Sequence, residues 1–312
     1  FRKDNRTAAF FRKVRQIDPS RSLYIAKADF HDYGASVDQD ILLETIKPFF
    51  LDDPDFFAFA SWIMTRNEFY KKDQLIHQRV SIIQGLPIGN FFNNLYLRDM
   101  DLELEKEAVL YMRYADDIAC FTETREQAER ALETVAQYAK KRNLTINEEK
   151  SGIILPGEEA EILGIQIFPG GFDIGDHART KLKDKLMKYS KKKVRRVTYG
   201  KITYKTAMED MIRYYDRIFF GKKARDHELN WVVHAFPMIT RIDGLKDIDA
   251  CAQEAIRYAG TGKRTNSKYR VRYKQMCKAG YKSLVHAYYH GYEITNTDTG
   301  HKEDGSWQKY RL

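Results

Sequence analysis

The chain has 312 residues, 43% hydrophobic and 31% charged, with a formal net charge of +9. That balance excludes a disordered or fibrous chain, suits two packed units, and favours a polyanionic partner. The longest apolar run, FFAFASWIM at residues 56–64, is too short to span a bilayer. No charged start leads into a hydrophobic leader, so the expectation is a cytoplasmic protein with no membrane partner. Cys120, Cys251 and Cys277 lie far apart without CxxC spacing, which fits reduced thiols and neither a disulfide framework nor a zinc site.

The segment before residue 20 is FRKDNRTAAFFRKVRQI, whose basic residues include Arg2, Lys3, Arg6, Arg12 and Lys13. SLYIAKADF (22–30) predicts a buried strand that reaches Asp29. DQDILLETIKPFF (38–50) predicts a helix capped by Ser36 or Asp38. The run from residue 56 predicts a core helix, and FYKKDQLIHQRVSI (69–82) a hairpin turning near Lys72 and Asp73. FFNNLYLRDMDLELEKE (91–107) predicts one helix, and VLYMRYADDIACF (109–121) a strand, a tight turn and a strand.

Thr124 with Gln127 forms a capping box for a helix whose stripe is Ala128, Ala131, Leu132, Val135 and Tyr138, stopping near Asn143. ILGIQIF (162–168) predicts a short strand, and Pro169-Gly170-Gly171 a break. The boundary is expected there, giving units 1–170 and 171–290. The stretch 291–312, rich in Thr, Asn, Asp and Gly, is expected to be a flexible tail.

The second unit is strongly basic. Eleven Lys or Arg stand against one acid, Asp184, between Lys181 and Lys205. Leu182, Leu186 and Tyr189 form the apolar side of a helix, leaving lysines elsewhere. A one-signed block repels itself unless a counter-charge is near, so Lys188, Lys191, Lys192, Lys193, Arg195 and Arg196 are candidate phosphate contacts. Further on, SKYRVRYKQMCKAGYKSLVHAYYH interleaves Arg270 and Arg272 with tyrosines. That pattern fits backbone contact with base stacking, or a small core burying Tyr269, Tyr273 and Tyr281, and the two are compatible.

Two acidic sites end apolar strands: Asp29, and the pair Asp116–Asp117 at a hairpin tip. Adjacent carboxylates repel each other and gain little from folding alone. Magnesium reverses that balance, because it takes one or two carboxylates and keeps its waters. Acids from separate strands can then build a two-metal phosphoryl-transfer site.

YADD (114–117) resembles the polymerase motif of reverse transcriptases, and KADFHDYGASVD (27–38) is similar to their first acidic motif. QGLPIGNFFNNLYL (84–97) aligns with the family's QGxPxSPxLANxYL pattern. RNLTINEEKSGII resembles the segment that carries the family's lysine, here Lys150, and EILGIQI the strand that supports the primer end. Five motifs in family order cover residues 20–170. The fold that the resemblance implies is an α/β (α+β) palm of right-hand polymerase architecture, with incomplete fingers and a mainly helical basic thumb.

It further implies an RNA-directed DNA polymerase using two Mg²⁺ ions, with Mn²⁺ as a substitute. Asp29, Asp116 and the Phe30 carbonyl would ligate metal, with Asp117 in support and Lys150 acting on the leaving pyrophosphate. Tyr33, Gly34, Gln84 and Gly85 would line the nucleotide site, and Leu163 and Gly164 the primer end. Partners would be dNTPs, a DNA primer or product, and an RNA template, a structured noncoding RNA being the natural one; homo- or hetero-oligomerisation is left open. Ile83 and the Gly89-Asn90 pair depart from the family pattern. LPIGN is closest in style to the bacterial diversity-generating and unclassified defence-associated types, and no intron-type appendage is visible, so antiviral defence is the expected role.

The family usually places Phe or Tyr at the position of Gly34, where the ring excludes a 2′-hydroxyl. Gly34 is therefore either an open gate or a backbone accommodation, with Tyr33 or Phe91 serving as the ring. The rival readings are an untemplated or ribonucleotide-incorporating polymerase, and an RNA-binding scaffold with an idle palm.

Overall fold

The computed structural model describes residues 7–17, 22–65, 68–71, 74–77, 80–81, 87–169, 171–221, 235–291, 293–295 and 302–304. It divides into two compact units, 1–158 and 159–312.

The first unit is built on a four-stranded antiparallel sheet. α1 (Thr7–Gln16) precedes β1 (Tyr24–Ala28), and β4 (Leu110–Tyr114), β5 (Asp117–Thr122) and β6 (Gly152–Ile154) complete the order β4-β5-β1-β6. Between β1 and β4 come the short helix α2 (Tyr33–Ser36), α3 (Gln39–Ile46), α4 (Pro54–Thr65), the hairpin β2 (Glu68–Lys71) and β3 (Gln74–His77), α5 (Pro87–Tyr96) and α6 (Arg98–Glu107). α7 (Arg125–Lys141) follows β5. Alternation of side chains along a strand decides which face each residue takes. Ala26, Ala28 and Phe30, with Ile118 and Cys120, join a buried core with Leu42, Ile46, Phe92, Tyr96, Met100 and Val135 from the helices. Lys27 and Asp29, with Ala119 and Asp117, therefore belong to the opposite face. Phe10 of α1 covers part of that face, its ring 5.8 Å from that of Phe121.

Several expectations change in detail. Asp38, not Ser36, caps α3 by accepting from the backbone of Asp40 and Ile41, and Pro48 follows where the helix tightens into a 3₁₀ turn over Lys47–Phe50. The helix expected over 91–107 is two helices: it starts early, with Pro87 in its first turn, and breaks at Leu97. The run from residue 56 is less buried than a core helix, with Ala60 and Met64 its only buried side chains among the described residues. β2 and β3 pair from Glu68↔His77 to Lys71↔Gln74, and the turn at Lys72 and Asp73 lies outside the described residues. The Thr124–Gln127 capping box forms at the start of α7.

The second unit opens on a three-stranded sheet, β7 (Ala160–Ile162), β8 (Ile165–Phe168) and β9 (Gly171–Ile174). The expected strand 162–168 is thus a hairpin, turning at Leu163 and Gly164. Pro169 to Gly171 connects β8 to β9 inside this sheet, so the compact units part after Glu158 and not at residue 170, because paired strands cannot be divided between units.

α8 (Asp176–Thr198), α9 (Tyr204–Phe219) and α10 (Asp243–Thr261) pack together through Leu182, Leu186, Met211, Tyr215, Ile248, Ala252 and Ile256. Asp173 at the end of β9 accepts from the backbone N–H of Gly244 at 2.9 Å, a carboxylate on the positive end of α10. Only glycine fits at 244, where a Cβ would stand 2.8 Å from Asp173. Short helices α11 (Ser267–Arg270), α12 (Tyr273–Lys278) and α13 (Leu284–His290) complete the unit, and β10 (Glu293–Thr295) pairs antiparallel with β11 (Lys302–Asp304) within the expected tail. Among the described residues no helix is long and apolar enough to cross a membrane.

Candidate active site

The acidic face is assembled by strand register. β1 pairs with β5 from Tyr24↔Thr122 to Ala28↔Ile118, so the next residues along, Asp29 and Asp117, continue the register on the same face. Asp116 is one residue earlier, in the two-residue turn between Tyr114 and Asp117. The sheet thus brings Asp29 to a pair of carboxylates, Asp116 and Asp117, remote from it in sequence.

Asp29 is nearly buried and its backbone is tied on the side of residues 145–151. Its N–H donates to Ser151 Oγ at 3.1 Å, and its carbonyl accepts from Asn147 N–H at 2.8 Å. Its carboxylate accepts from Asn147 Nδ2 at 3.2 Å and from Lys150 Nζ at 3.2 Å and 3.4 Å. Asn147 and Ser151 are missed by motif reading; they stand within four residues of Lys150, which was the available signal. His31 N–H donates to Thr145 O, so the backbone of Phe30, between two residues that bond toward 145–147, turns its own carbonyl away from that segment.

No side-chain hydrogen bond reaches Asp116 or Asp117 among the described residues. Burial pushes the Asp117 carboxyl above its ordinary range, and the charges of Asp116 and Asp29 push the same way. Lys150, with 60% of its side chain exposed, is held above the usual lysine range by its bond to Asp29. Among the described residues no group of three or more His, Cys, Asp or Glu is placed to form a metal cage of its own. The donor set still fits magnesium, which needs only one or two carboxylates and completes its shell with water and phosphate. The mutual repulsion that raises Asp117 is what a divalent cation relieves.

Tyr33 does not present a ring to this face. It is buried in the helix-side core, stacked 5.8 Å from Phe30, and its hydroxyl donates to the Asn93 carbonyl at 2.6 Å. Phe91 is packed half-buried against the same core, its ring 5.6 Å from Phe92. Gly34 lies in α2 without a left-handed backbone, and a Cβ there would meet only Asn93 Nδ2, at 4.0 Å. The backbone therefore does not require glycine at 34. Gln84, Gly85, Arg2, Lys3 and Arg6 lie outside the described residues, while Arg12 and Lys13 are exposed on α1.

Strain falls beside these motifs. Asp32, Ala115 and Leu163 are non-glycine residues with φ of 46°, 57° and 51°. Such positions persist where the surrounding structure imposes them, and they concentrate at functional sites. Leu163 and Gly164 form the β7–β8 turn of the second unit, with a Cβ at Gly164 only 3.2 Å from Ala178 Cβ.

On α8, Lys181, Lys185, Lys188, Lys191, Lys192, Arg195 and Arg196 are exposed at helical spacing, one basic stripe opposite buried Leu182 and Leu186. Lys193 departs from the expectation. It is buried, its ammonium bound to Asp210 and seated over the Tyr189 ring, so it joins α8 to α9 and is not offered to a phosphate. Arg270 and Arg272 are exposed. Of the tyrosines near them, Tyr281 is buried while Tyr269 and Tyr273 are exposed, so packing and an exposed basic-aromatic surface coexist.

Residues 2–167, just over half of the chain, match the family described as reverse transcriptase (RNA-dependent DNA polymerase). The chain belongs to this reverse transcriptase family. Among solved structures it is similar to apo telomerase from Candida Tropicalis, with a TM-score of 0.50 and 12% identity over 87% of this chain and 47% of that one. A second similar structure is telomerase from Candida albicans with a TWJ fragment of telomeric RNA, with a TM-score of 0.47 and 9% identity over 87% of this chain and 49% of that one. At 12% identity the first likeness is one of fold, and with the family match it identifies the mixed α/β palm of a right-hand polymerase. The chain spans about half the length of these telomerase chains. No curated protein matches the sequence.

Proposed function

We propose that this reverse transcriptase-family chain makes DNA on an RNA template by two-metal nucleotidyl transfer. The observation that carries the reading is the register that sets Asp29 beside Asp117 on one face of the sheet, next to Asp116, with Lys150 bonded to Asp29. Asp29, Asp116 and the Phe30 carbonyl, with Asp117 in support, would hold magnesium, which would supply charge neutralisation for the transferring phosphoryl group. Lys150 is protonated at neutral pH, as any exposed lysine is, and its bond to Asp29 holds that ammonium at the acidic face, which suits it to neutralise or protonate the departing pyrophosphate. Gln84 and Gly85 are assigned to the incoming nucleotide, and Leu163 and Gly164 to the primer end.

The α8 stripe, with Arg270 and Arg272, serves as a sequence-independent phosphate grip. A structured noncoding RNA as template, the cytoplasm as location and antiviral defence as role complete the proposal; their support is the sequence pattern.

A second reading concerns the sugar. Gly34 has room for a side chain, its backbone would accept one, and Tyr33 is locked away from the gate position. These observations favour incorporation of ribonucleotides alongside or in place of deoxyribonucleotides. The deciding experiment offers the protein with its co-purified RNA labelled dNTPs or rNTPs separately in Mg²⁺, with Asp116→Ala as control. DNA synthesis lost in the control is the expected result. Product on rNTPs that Gly34→Phe abolishes establishes the open gate. No product from either nucleotide set, despite bound RNA, overturns the polymerase reading in favour of a scaffold.

A further inference from the structure

Arg113 precedes the Tyr114–Asp117 turn, and its side chain falls on the helix-packed face, opposite the aspartates. It pairs in the sheet with Ile118, which is buried in that core. Only 4% of the Arg113 side chain is exposed. Its guanidinium grips Asp101 of α6 with two parallel bonds, Nε to Oδ1 and Nη2 to Oδ2, both 2.7 Å. Nη2 also donates to the Asn94 carbonyl of α5 at 3.0 Å, and Nη1 to the Ala115 carbonyl at 3.0 Å. Tyr111 donates its hydroxyl to Asp101 Oδ1 at 2.6 Å, fixing the carboxylate from a second side. Four of the five N–H groups that an arginine carries are thus engaged.

The bond to Ala115 separates this network from an ordinary buried ion pair. Ala115 is a non-glycine residue held at φ 57°, a conformation that its own side chain disfavours. Asp116 and Asp117 follow directly and have no side-chain hydrogen bonds of their own among the described residues. Their aim is therefore set by the backbone of the turn, and the turn is held through its carbonyl from the far side of the sheet.

We infer that Arg113, oriented by Asp101 and Tyr111, is a positioning residue that fixes the acidic turn for metal binding. The inference rests on the proposed reading of Asp116 as a metal ligand; the fixing of the turn itself does not. Lysine can replace the charge of Arg113 but not its planar fork, so it cannot hold Asp101 and the Ala115 carbonyl together in this geometry. Arg113→Lys is therefore the informative variant, and Asp101→Asn the second, should the first fold poorly.

Three quantities are measured on the full chain: hydrogen exchange of the peptide containing Ala115–Asp117, Mn²⁺ binding by electron paramagnetic resonance, and steady-state nucleotide incorporation. We expect melting within a few degrees of the parent, exchange at the turn about 10-fold faster, and Mn²⁺ affinity about 3- to 10-fold weaker. The kcat falls about 10- to 100-fold with KM for primer–template unchanged. A merely structural pair would instead lose activity in proportion to the folded fraction, with turn exchange and Mn²⁺ affinity of the folded protein intact; that result overturns the inference. If the parent protein neither binds Mn²⁺ nor incorporates nucleotide while Arg113→Lys still loosens the turn, the metal reading fails and the fixing of the turn stands. If the parent does both and neither variant changes exchange or Mn²⁺ affinity, the inference fails and the polymerase reading stands.

Discussion

Two clusters of the molecule treat carboxylates in opposite ways. Asp249 in the second unit is buried, and it accepts from the hydroxyls of Tyr215, Tyr281 and Ser283 and from the backbone N–H groups of Leu284 and Val285. Every donor is neutral, and together they satisfy the charge where it sits. In the first unit Asp116 and Asp117 have no side-chain hydrogen bond among the described residues and lie beside Asp29, itself held by Asn147 and Lys150, so the charges of Asp116 and Asp29 act on Asp117. The first arrangement makes the fold stable, joining α9, α10 and the segment entering α13. The second leaves Asp117 under burial and like-charge repulsion, a cost that a bound cation would relieve.

Changes that treat the two clusters alike test this contrast. Asp29→Asn should lower nucleotide incorporation on the order of 1000-fold, about 4 kcal/mol of barrier, while leaving the fold intact by circular dichroism. An active Asp29→Asn protein would remove the acidic face from the chemistry.

Asp249→Ala should do the reverse in kind, destabilising the second unit by about 3–5 kcal/mol in chemical denaturation, because Tyr281, Ser283 and the N–H groups of Leu284 and Val285 lose this acceptor while the Tyr215 hydroxyl keeps the Lys282 carbonyl. A loss below about 1 kcal/mol would show that water replaces the carboxylate and that the hub is dispensable.

Lys150→Ala should lower kcat about 10- to 100-fold across roughly pH 7 to 9. The folded protein holds this ammonium above the usual lysine range, so its contribution is fully present at neutral pH and lost only as pH rises through that raised value. An inflection near neutrality in the parent profile that disappears in Lys150→Ala would contradict the assignment of its charge.

The smallest effect is on stability. Asp117 is raised by burial and by its neighbours, so its charge opposes folding above the raised value, and the opposition fades as acid protonates it. Asp117→Asn should therefore melt about 1 °C higher than the parent near neutral pH, with the gap closing as pH falls; partial exposure of the group keeps the gain small. A lower melting temperature for the variant would mean that Asp117 is already compensated in the free protein.

Much of the first unit was legible in the sequence because its signals are local. The buried strand in SLYIAKADF, the tight turn in YADD and the Thr124–Gln127 capping box each involve neighbouring residues, and the structure forms each, the strand shortened to Tyr24–Ala28. The Pro169-Gly170-Gly171 stretch is legible as a break and suggests the boundary, whereas the strands on either side of it pair, because strand partnership is a long-range property. Lys193 reads as one of a basic run, yet it stands four residues after Tyr189 and seven after Leu186, on the apolar side of the helix, where Asp210 of another helix receives its charge. Arg113 carries no signal of its own in the motif that follows it; Asp101 and Asn94 give it a role from separate helices.

The sequence by itself determined the acids, their strand ends and the family to which they belong, since those rest on residue order and alternation. Tertiary structure decided which acids face one another, which cations are spent on buried partners, and that Tyr33 is locked in the core while Gly34 has room. Register and packing act between residues tens of positions apart, where the order of residues alone leaves more than one arrangement open.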